Sequence, residues 1–446
     1  MTVGVVARPL SPPPLVLPPF GVNYRQMAKP TIDLFESKGA FTNEERRVSV
    51  YSDTEPPTIP NEVTQDTPLE RLNLNWREKD LPEKERTKHV HRLHPYLGKF
   101  IPQLVEIFLR RYFRTGQTVL DPFCGSGTTL VQANELGINA IGYDISAFNV
   151  LLTRAKVQKY DVSEVRQEVL DALHKLRQLT QPKTQMRLWE ECVSELNIPA
   201  IDNEYLKTWY APRALEELLT YRYLIEKEGY LYQDLLKIIL SRSARSARLT
   251  THYDLDFPKS PRTEPYWCYK HSRMCSPTTE AFKFINRYSL DTLRRVEEFD
   301  ALRTEAQVET HHGDSRRTEF PPIDGVITSP PYVGLIDYHD QHAYAYHLLG
   351  LEDRRDAEIG PAANGSGSKA KRQYQMDIAT VFRNCVKAMT RDGWLIVVIH
   401  DSANLYPEIA SMCGVEVVAV LDRHVNRRTG RRSSEFYESI FVWRKP

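Results

Sequence analysis

DPFCGSGTT, residues 121–129, follows the short apolar run QTVL and leads into the helical-looking stretch LVQANELG. A buried strand, a glycine turn and a helix in that order leave free backbone N–H groups beside a strand's carboxyl end. Gly125 and Gly127 let the chain turn sharply and leave space for a ligand, while Thr128 opens the helix. This is the pattern of a nucleotide-cofactor site. A dinucleotide fingerprint would need a third glycine at position 130, where the chain has Leu130, so the nicotinamide reading fails. A phosphate-binding loop would need Gly-Lys-Ser/Thr, and the turn holds no lysine.

The surrounding chain alternates strand and helix. Residues 102–114 space their apolar positions as an amphipathic helix, QTVLD at 117–121 is a strand, and the helix after the turn ends on Gly137. NAIGYD at 139–144 is a second strand, and a further helix starts near Ala147. The alternation resumes with VETHHGD at 308–314 and DGVITSP at 324–330. Helical stretches around 338–350 and 375–389 follow, with the loop NGSGSKAKR at 364–372 between them. WLIVVIH at 394–400, VEVVAVLD at 415–422 and ESIFVWR at 438–444 complete the strands. The order predicts an α/β fold on a largely parallel, Rossmann-like sheet. Residues 161–305 break the pattern with mainly helical, charged sequence, far longer than an ordinary connection. The catalytic domain is therefore expected over 86–160 and 306–446, split by this insertion. Residues 1–85 read as an irregular, Pro-rich arm, with order beginning near His89.

Composition bounds the function. Lys and Arg number 59 against 58 Asp and Glu, so a nucleic-acid surface must be local. Six scattered cysteines in 446 residues suggest a reduced, cytoplasmic chain rather than a disulfide framework. No apolar run has membrane-spanning length, and SPPPLVLPP near the N-terminus lacks the build of a signal peptide.

TSPPY at 328–332 closes another strand, and together with DPFCGSGTT it resembles the motif pair of the amino-group DNA methyltransferases, which implies transfer to a base's exocyclic nitrogen. An exocyclic amine is a poor nucleophile because its lone pair is delocalised into the ring. Acceptors on both of its N–H bonds favour a tetrahedral nitrogen, and the Ser329 hydroxyl oxygen and Pro330 carbonyl can be those acceptors. Pro330 and Pro331 fix the backbone, and Tyr332 offers a face to an extruded base. Asp144 suits ribose hydroxyls, and Asp314 an adenine edge.

With DPFCGSGTT and TSPPY in one chain, the sequence resembles the amino-group, site-specific DNA methyltransferases, most closely the cytosine-N4 members. The resemblance covers about 89–160 and 306–446 and extends to HRLHPYLGKF at 91–100 and GYDIS at 142–146. It implies a Rossmann-like methyltransferase fold using S-adenosylmethionine. His94, Tyr96, Lys99 and Phe100 would lie near the methionine end, with Phe123 beside the methionine or ribose. Asp121, Gly125, Gly127 and Thr128 belong to the glycine motif, while Asp144 and Ile145 would flank the ribose and Asp314 the adenine. The implied partners are double-stranded DNA and a cognate restriction endonuclease acting on the same site, and a monomer is expected.

Methylation at cytosine C5 would need a thiolate, usually in Pro-Cys, and that dipeptide does not occur. Adenine-N6 members typically carry Asp or Asn where this chain has Ser329, which tilts the reading to cytosine N4; adenine N6 and RNA guanine N2 are the alternatives. Residues 241–273 hold seven Lys/Arg against three Asp/Glu, interleaved with Tyr253, Tyr266, Trp267 and Tyr269, and suit DNA contacts. RHVNRRTGRR at 423–432 and the basic loop at 364–372 are further candidates. Cys268, His271 and Cys275, with His252 upstream, are metal-ligating types, but C-x2-H-x3-C lacks paired knuckles and no metal is assigned.

Overall fold

A computed structural model describes residues 47–48, 56–180, 202–256, 258–334, 336–361, 363, 365–425 and 436–446. Strand β1 (Arg47–Val48) is followed by helices α1 (Glu83–Arg86) and α2 (Pro102–Tyr112). The first repeating unit is β2 (Thr118–Asp121), α3 (Thr128–Glu135), β3 (Asn139–Asp144) and α4 (Ala147–Val157). Then come α5 (Val162–Thr180), α6 (Glu204–Trp209), α7 (Pro212–Lys227) and α8 (Gln233–Ala247). A hairpin of β4 (Tyr266–Cys268) and β5 (Arg273–Cys275) precedes α9 (Phe282–Asp300). The sheet resumes with β6 (Val308–His312) and β7 (Ile323–Thr328), then α10 (Tyr338–Gln341), α11 (Ala343–Leu349) and α12 (Ser368–Ala388). Strand β8 (Met389–Ile399), α13 (Tyr406–Cys413), β9 (Glu416–Val425) and β10 (Phe436–Arg444) end the chain.

The main sheet runs β1-β9-β10-β8-β7-β2-β3-β6. Strands β6, β3, β2, β7 and β8 pair in parallel, and β10 is antiparallel to both β8 and β9. From β2 the chain winds outward through β3 to β6, then crosses back to place β7 on the other side of β2. That reversal opens a crevice at the carboxyl ends of β2 and β7, where α/β sheets bind ligands.

Both faces of the sheet are buried, and the strands alternate accordingly. Along β8, Ile396 and Val398 face one core while Leu395, Val397 and Ile399 face the other. Along β10, Ile440 and Val442 face the first, Phe441 and Trp443 the second. The second core packs under α12 and α13. The first takes in α2, α3, α4 and the inserted helices together. In α5 the buried residues Val165, Val169, Ala172 and Leu176 form a stripe on one face. Leu235, Leu236, Ile238 and Ile239 of α8 enter the same core, so the inserted helices are integral to its packing.

Ordered packing extends well upstream of His89. Leu72, Leu74 and Trp76 are buried, and Asn75 Oδ1 accepts the His424 N–H at 2.7 Å on β9. These residues dock singly rather than as a periodic element, which is why their spacing carries no signal. The stretch read as a basic loop at 364–372 is helical from Ser368 onward, so Lys369, Lys371 and Arg372 sit on α12. The run of Lys, Ala, Arg and Gln there is favourable to helix, and Gly367 marks its start. Of the basic run at 423–432, residues 426–432 lie outside the described residues, as do 1–46 and 49–55 of the arm. Among the described residues, no helix is long and apolar enough to cross a membrane.

Candidate active site

A cleft of about 780 Å³ opens at the crevice between β2 and β7. Its walls come from the carboxyl ends of four parallel strands: Phe123, Gly125 and Ser126 after β2, Asp144 and Ile145 at the end of β3, Asp314 after β6, and Ser329 and Pro331 after β7. Tyr96, Lys99 and Phe100 close it from the segment before α2. Thr128, the first residue of α3, also faces it. Gly127 caps that helix at φ 74°, and a side chain there would meet Thr153 at 2.7 Å. Gly125 is left-handed too, at φ 49°, with the Tyr96 hydroxyl where a Cβ would need space.

Asp144 is held by the turn it serves. Its carboxylate accepts the Gly125 and Ser146 N–H groups, each at 2.8 Å, and the Asn149 side-chain amide at 3.1 Å. Burial outweighs these bonds and pushes its pKa up to about 6. Asp314 forms a two-pronged pair with Arg316, whose Nε and Nη2 each lie 2.9 Å from one of its oxygens. Burial acts to raise the Asp314 pKa, but the Arg316 contacts win and hold it below the ordinary carboxylate value. Lys99 Nζ donates to the His91 carbonyl at 2.8 Å, and burial lowers its pKa to about 8.

Several expected residues stand behind the cleft rather than in its wall. His94 is buried, its Nδ1–H donating to the Pro95 carbonyl at 2.8 Å and its Nε2 3.2 Å from the Ser241 hydroxyl. It packs against Phe148 and Tyr344, bridging α4, α11 and the inserted α8. Its ring is consumed by these contacts, so it supports the wall that Tyr96 presents. Asp121 is fully buried beneath the turn and accepts from Thr328 Oγ1 at 2.6 Å and the Phe123 N–H at 3.2 Å. Gly127, Pro330 and Tyr332 do not line the cleft either.

The Ser-Pro-Pro-Tyr turn is fastened from below. The Pro331 carbonyl accepts from the Tyr374 hydroxyl at 2.9 Å, and that hydroxyl lies 2.8 Å from the hydroxyl of Tyr406. Tyr332 donates its hydroxyl proton to Glu438 Oε1 at 3.0 Å, and burial and then this carboxylate raise its pKa. Glu438 Oε2 in turn pairs with the buried Arg423 at 3.0 Å, and the Arg423 guanidinium lies 5.5 Å from the Trp76 ring. The Pro331 carbonyl is thus already engaged.

Tyr338, Asn149 and Glu358 also line the cleft, though no motif announces them. Tyr338 stacks on Tyr96 with ring centres 5.9 Å apart, and Asn149 donates to the Tyr96 hydroxyl at 3.1 Å. Asn149 follows the helix cap Ser146 by three residues, the one local signal available. Glu358 comes from irregular chain and has none.

The donor set fits S-adenosylmethionine. Carboxylates at adjacent strand ends suit ribose hydroxyls and an adenine amine, and Phe123, Ile145 and Ile359 give apolar surface between them. Ser126 Oγ lies buried in the wall without a hydrogen-bond partner, available to a polar group of a ligand.

Comparison with known proteins agrees with this geometry. A DNA methylase family model of the N6/N4 type matches residues 26–154, and a D12 class N6 adenine-specific DNA methyltransferase model matches 98–236. Type II methyltransferase M.MjaII of Methanocaldococcus jannaschii is 38% identical over 430 residues, covering 81% of each chain. The chain belongs to the amino-group DNA methyltransferases. Its cofactor is S-adenosylmethionine. Type II methyltransferase M.BsoBI of Geobacillus stearothermophilus is similar at 23% identity over 308 residues, 62% of this chain and 56% of that one. Among solved structures, the rRNA methyltransferase aviRa of Streptomyces viridochromogenes aligns at TM-score 0.32 and 11% identity, covering 83% of this chain and 96% of that one.

Proposed function

We propose that this DNA methyltransferase modifies the exocyclic N4 of cytosine in duplex DNA. The observation that carries the reading is Ser329, which lines the cofactor cleft at the end of β7 with its neighbouring turn held rigid. Bound S-adenosylmethionine supplies an electrophilic sulfonium methyl. Ser329 Oγ and the Pro330 carbonyl accept the two amine N–H bonds of the target, so that the nitrogen lone pair is freed from the ring. The Pro331 carbonyl already accepts one hydrogen bond from Tyr374, which makes the Pro330 carbonyl the less committed backbone acceptor. Tyr332 stacks on the base, which must leave the duplex to reach the cleft. The turn is preorganised by the tyrosine hydroxyls and by Glu438, so orientation and electrostatics, rather than a covalent enzyme intermediate, account for the rate.

Asp144 and Asp314 hold the ribose and adenine ends of the cofactor, with Tyr96, Lys99 and Phe100 toward the methionine end. Within 241–273, Arg242, Arg245 and Arg248 are turned inward onto Asp291, Asp256 and the Leu255 carbonyl, so DNA is gripped in part by the exposed Lys259, Arg262, Lys270 and Arg273 with Tyr253, Trp267 and Tyr269, and the enzyme's Type II relatives support a companion endonuclease of the same specificity.

The match to the adenine-specific model over 98–236 favours a second reading, transfer to adenine N6. Serine rather than an acid or amide at 329 weighs against it. Purified protein given tritiated S-adenosylmethionine should label duplex DNA and leave tRNA unlabelled. Mass spectrometry of the digested nucleosides then decides the base. N4-methylcytosine is expected; N6-methyladenine would replace the first reading by the second, and label confined to tRNA would remove both.

A further inference from the structure

Beyond the cleft, the β4–β5 hairpin gathers four side chains for which the methyl-transfer chemistry has no use. Cys268 Sγ lies 3.7 Å from His252 Nδ1 and 3.5 Å from His271 Nδ1, and Cys275 Sγ lies 3.5 Å from the same His271 nitrogen. All four ligand atoms fall within 4.8 Å of one another. A tetrahedral Zn²⁺ with bonds of about 2.3 Å to sulfur and about 2.0 Å to nitrogen would set its sulfur and nitrogen ligands roughly 3.5 Å apart. We propose that His252, Cys268, His271 and Cys275 form a structural zinc site that staples this hairpin.

The hairpin needs a staple. Its two strands are three residues each, with Tyr266 opposite Cys275 and Cys268 opposite Arg273. Its own apolar cluster consists of Tyr266, Cys268 and Cys275. Trp267, Tyr269 and Met274 are 49%, 77% and 58% exposed and add nothing to that core. A two-stranded ribbon of this size is marginal in water unless something fixes it. The backbone is shaped for ligation. The His271 N–H donates to the Cys268 carbonyl at 3.1 Å, and Ser272 takes a left-handed φ of 50°, which turns His271 back between the two sulfurs. His252 arrives from the loop after α8, anchored by its N–H to the Tyr266 hydroxyl at 3.0 Å. Its ring lies against that of His271, with centres 4.8 Å apart. The spacing C-x2-H-x3-C lacked a fourth ligand at a readable distance; His252, sixteen residues before Cys268, supplies it. Four protein ligands close the coordination sphere, so the ion is structural and leaves no open position for catalysis.

The test is the zinc content of the full chain purified without chelator, read by inductively coupled plasma mass spectrometry. One zinc per chain is expected, lost in Cys268→Ser and in Cys275→Ser but kept in Cys385→Ser, whose thiol lies in the second core. Replacement by Co²⁺ should give the visible bands of a tetrahedral, thiolate-bound ion. Because this is read on the unmutated chain, it holds even if the serine variants fold poorly. A folded chain with no zinc and no cobalt spectrum would overturn the site. So would zinc that persists in both serine variants, or an intact mass showing Cys268 and Cys275 joined as a disulfide.

Discussion

Thr328 Oγ1 donates to Asp121 Oδ1 at 2.6 Å, with both residues fully buried, tying the last residue of β7 to the last residue of β2. One hydrogen bond thereby sets the glycine turn against the Ser-Pro-Pro-Tyr turn, whose separation a methyl transfer must hold constant. A second bond, from Thr129 Oγ1 to the Ile327 carbonyl at 3.2 Å, repeats the link one layer away.

Thr328→Val keeps the shape and removes the donor. The buried carboxylate then loses a partner, at a cost of about 1–3 kcal/mol in unfolding free energy. Burial already lifts the Asp121 pKa from 3.8 to about 6, with Thr328 opposing the rise. A carboxyl whose folded-state pKa is raised binds extra protons when folded, so its contribution to stability falls as pH rises from 3.8 through about 6 and is flat above. In the variant that falling limb should extend to higher pH. Urea unfolding of both proteins across this range checks it; parallel curves would refute the linkage.

Asp144 titrates in the same region, pushed by burial up to about 6. In its proposed role as ribose acceptor it must be ionised, so cofactor affinity should weaken as pH drops below about 6. Asp144→Asn should weaken binding by roughly tenfold or more, the worth of a charge-assisted hydrogen bond, and flatten that acid limb. Asp144 adds a small upward push to the Asp121 pKa, and the asparagine variant separates the two titrations. Calorimetric titration with S-adenosylmethionine reads both effects, and an unchanged affinity would remove Asp144 from the site.

How much of this was legible in the sequence depends on how local each signal is. The β2–α3 turn and TSPPY announce themselves because a glycine turn and a proline pair dictate their own backbone. The strands β8 and β10 were readable because both faces are buried over the apolar runs Leu395–Ile399 and Ile440–Trp443. His94 was placed at the cleft by its position in a motif, yet contacts from α8 and α11 claim its ring. Trp76, Arg423 and Glu438 meet only through tertiary packing, and no spacing in the chain encodes that meeting. The hairpin ligands fell between these cases: the residue types were visible, but the distance to His252 was not.

Arg423 and Glu438 pair at 3.0 Å with both side chains buried beneath Tyr332. Glu438→Gln preserves volume but leaves the guanidinium without its countercharge, which should cost about 3–5 kcal/mol. Glu438→Leu combined with Arg423→Met removes both charges and should recover much of that loss. Cofactor affinity should hardly change in either, because neither residue lines the cleft. Methyl transfer should fall modestly in the double variant, where Tyr332 loses the acceptor that orients it, and less in Glu438→Gln, whose amide oxygen can still accept the hydroxyl proton. Thermal unfolding together with a transfer assay separates the two effects; transfer that tracks stability alone would deny Glu438 any positioning role.

Tyr332 itself divides into a ring and a hydroxyl. Stacking of a base on an aromatic side chain is worth about 1–3 kcal/mol, so Tyr332→Ala should lower single-turnover methyl transfer by about 5- to 150-fold. Tyr332→Phe keeps the face and loses only the bond to Glu438, at about 1 kcal/mol of stability, and should show the same modest fall in transfer as the Glu438→Leu, Arg423→Met pair. Neither change should move the affinity for S-adenosylmethionine, as Tyr332 stands outside the cofactor cleft. The pattern to look for is a large loss of transfer in alanine, a modest one in phenylalanine and constant cofactor binding in both. If alanine transfers the methyl as fast as tyrosine, the ring does not hold the target base and the acceptors of Ser329 and Pro330 must suffice.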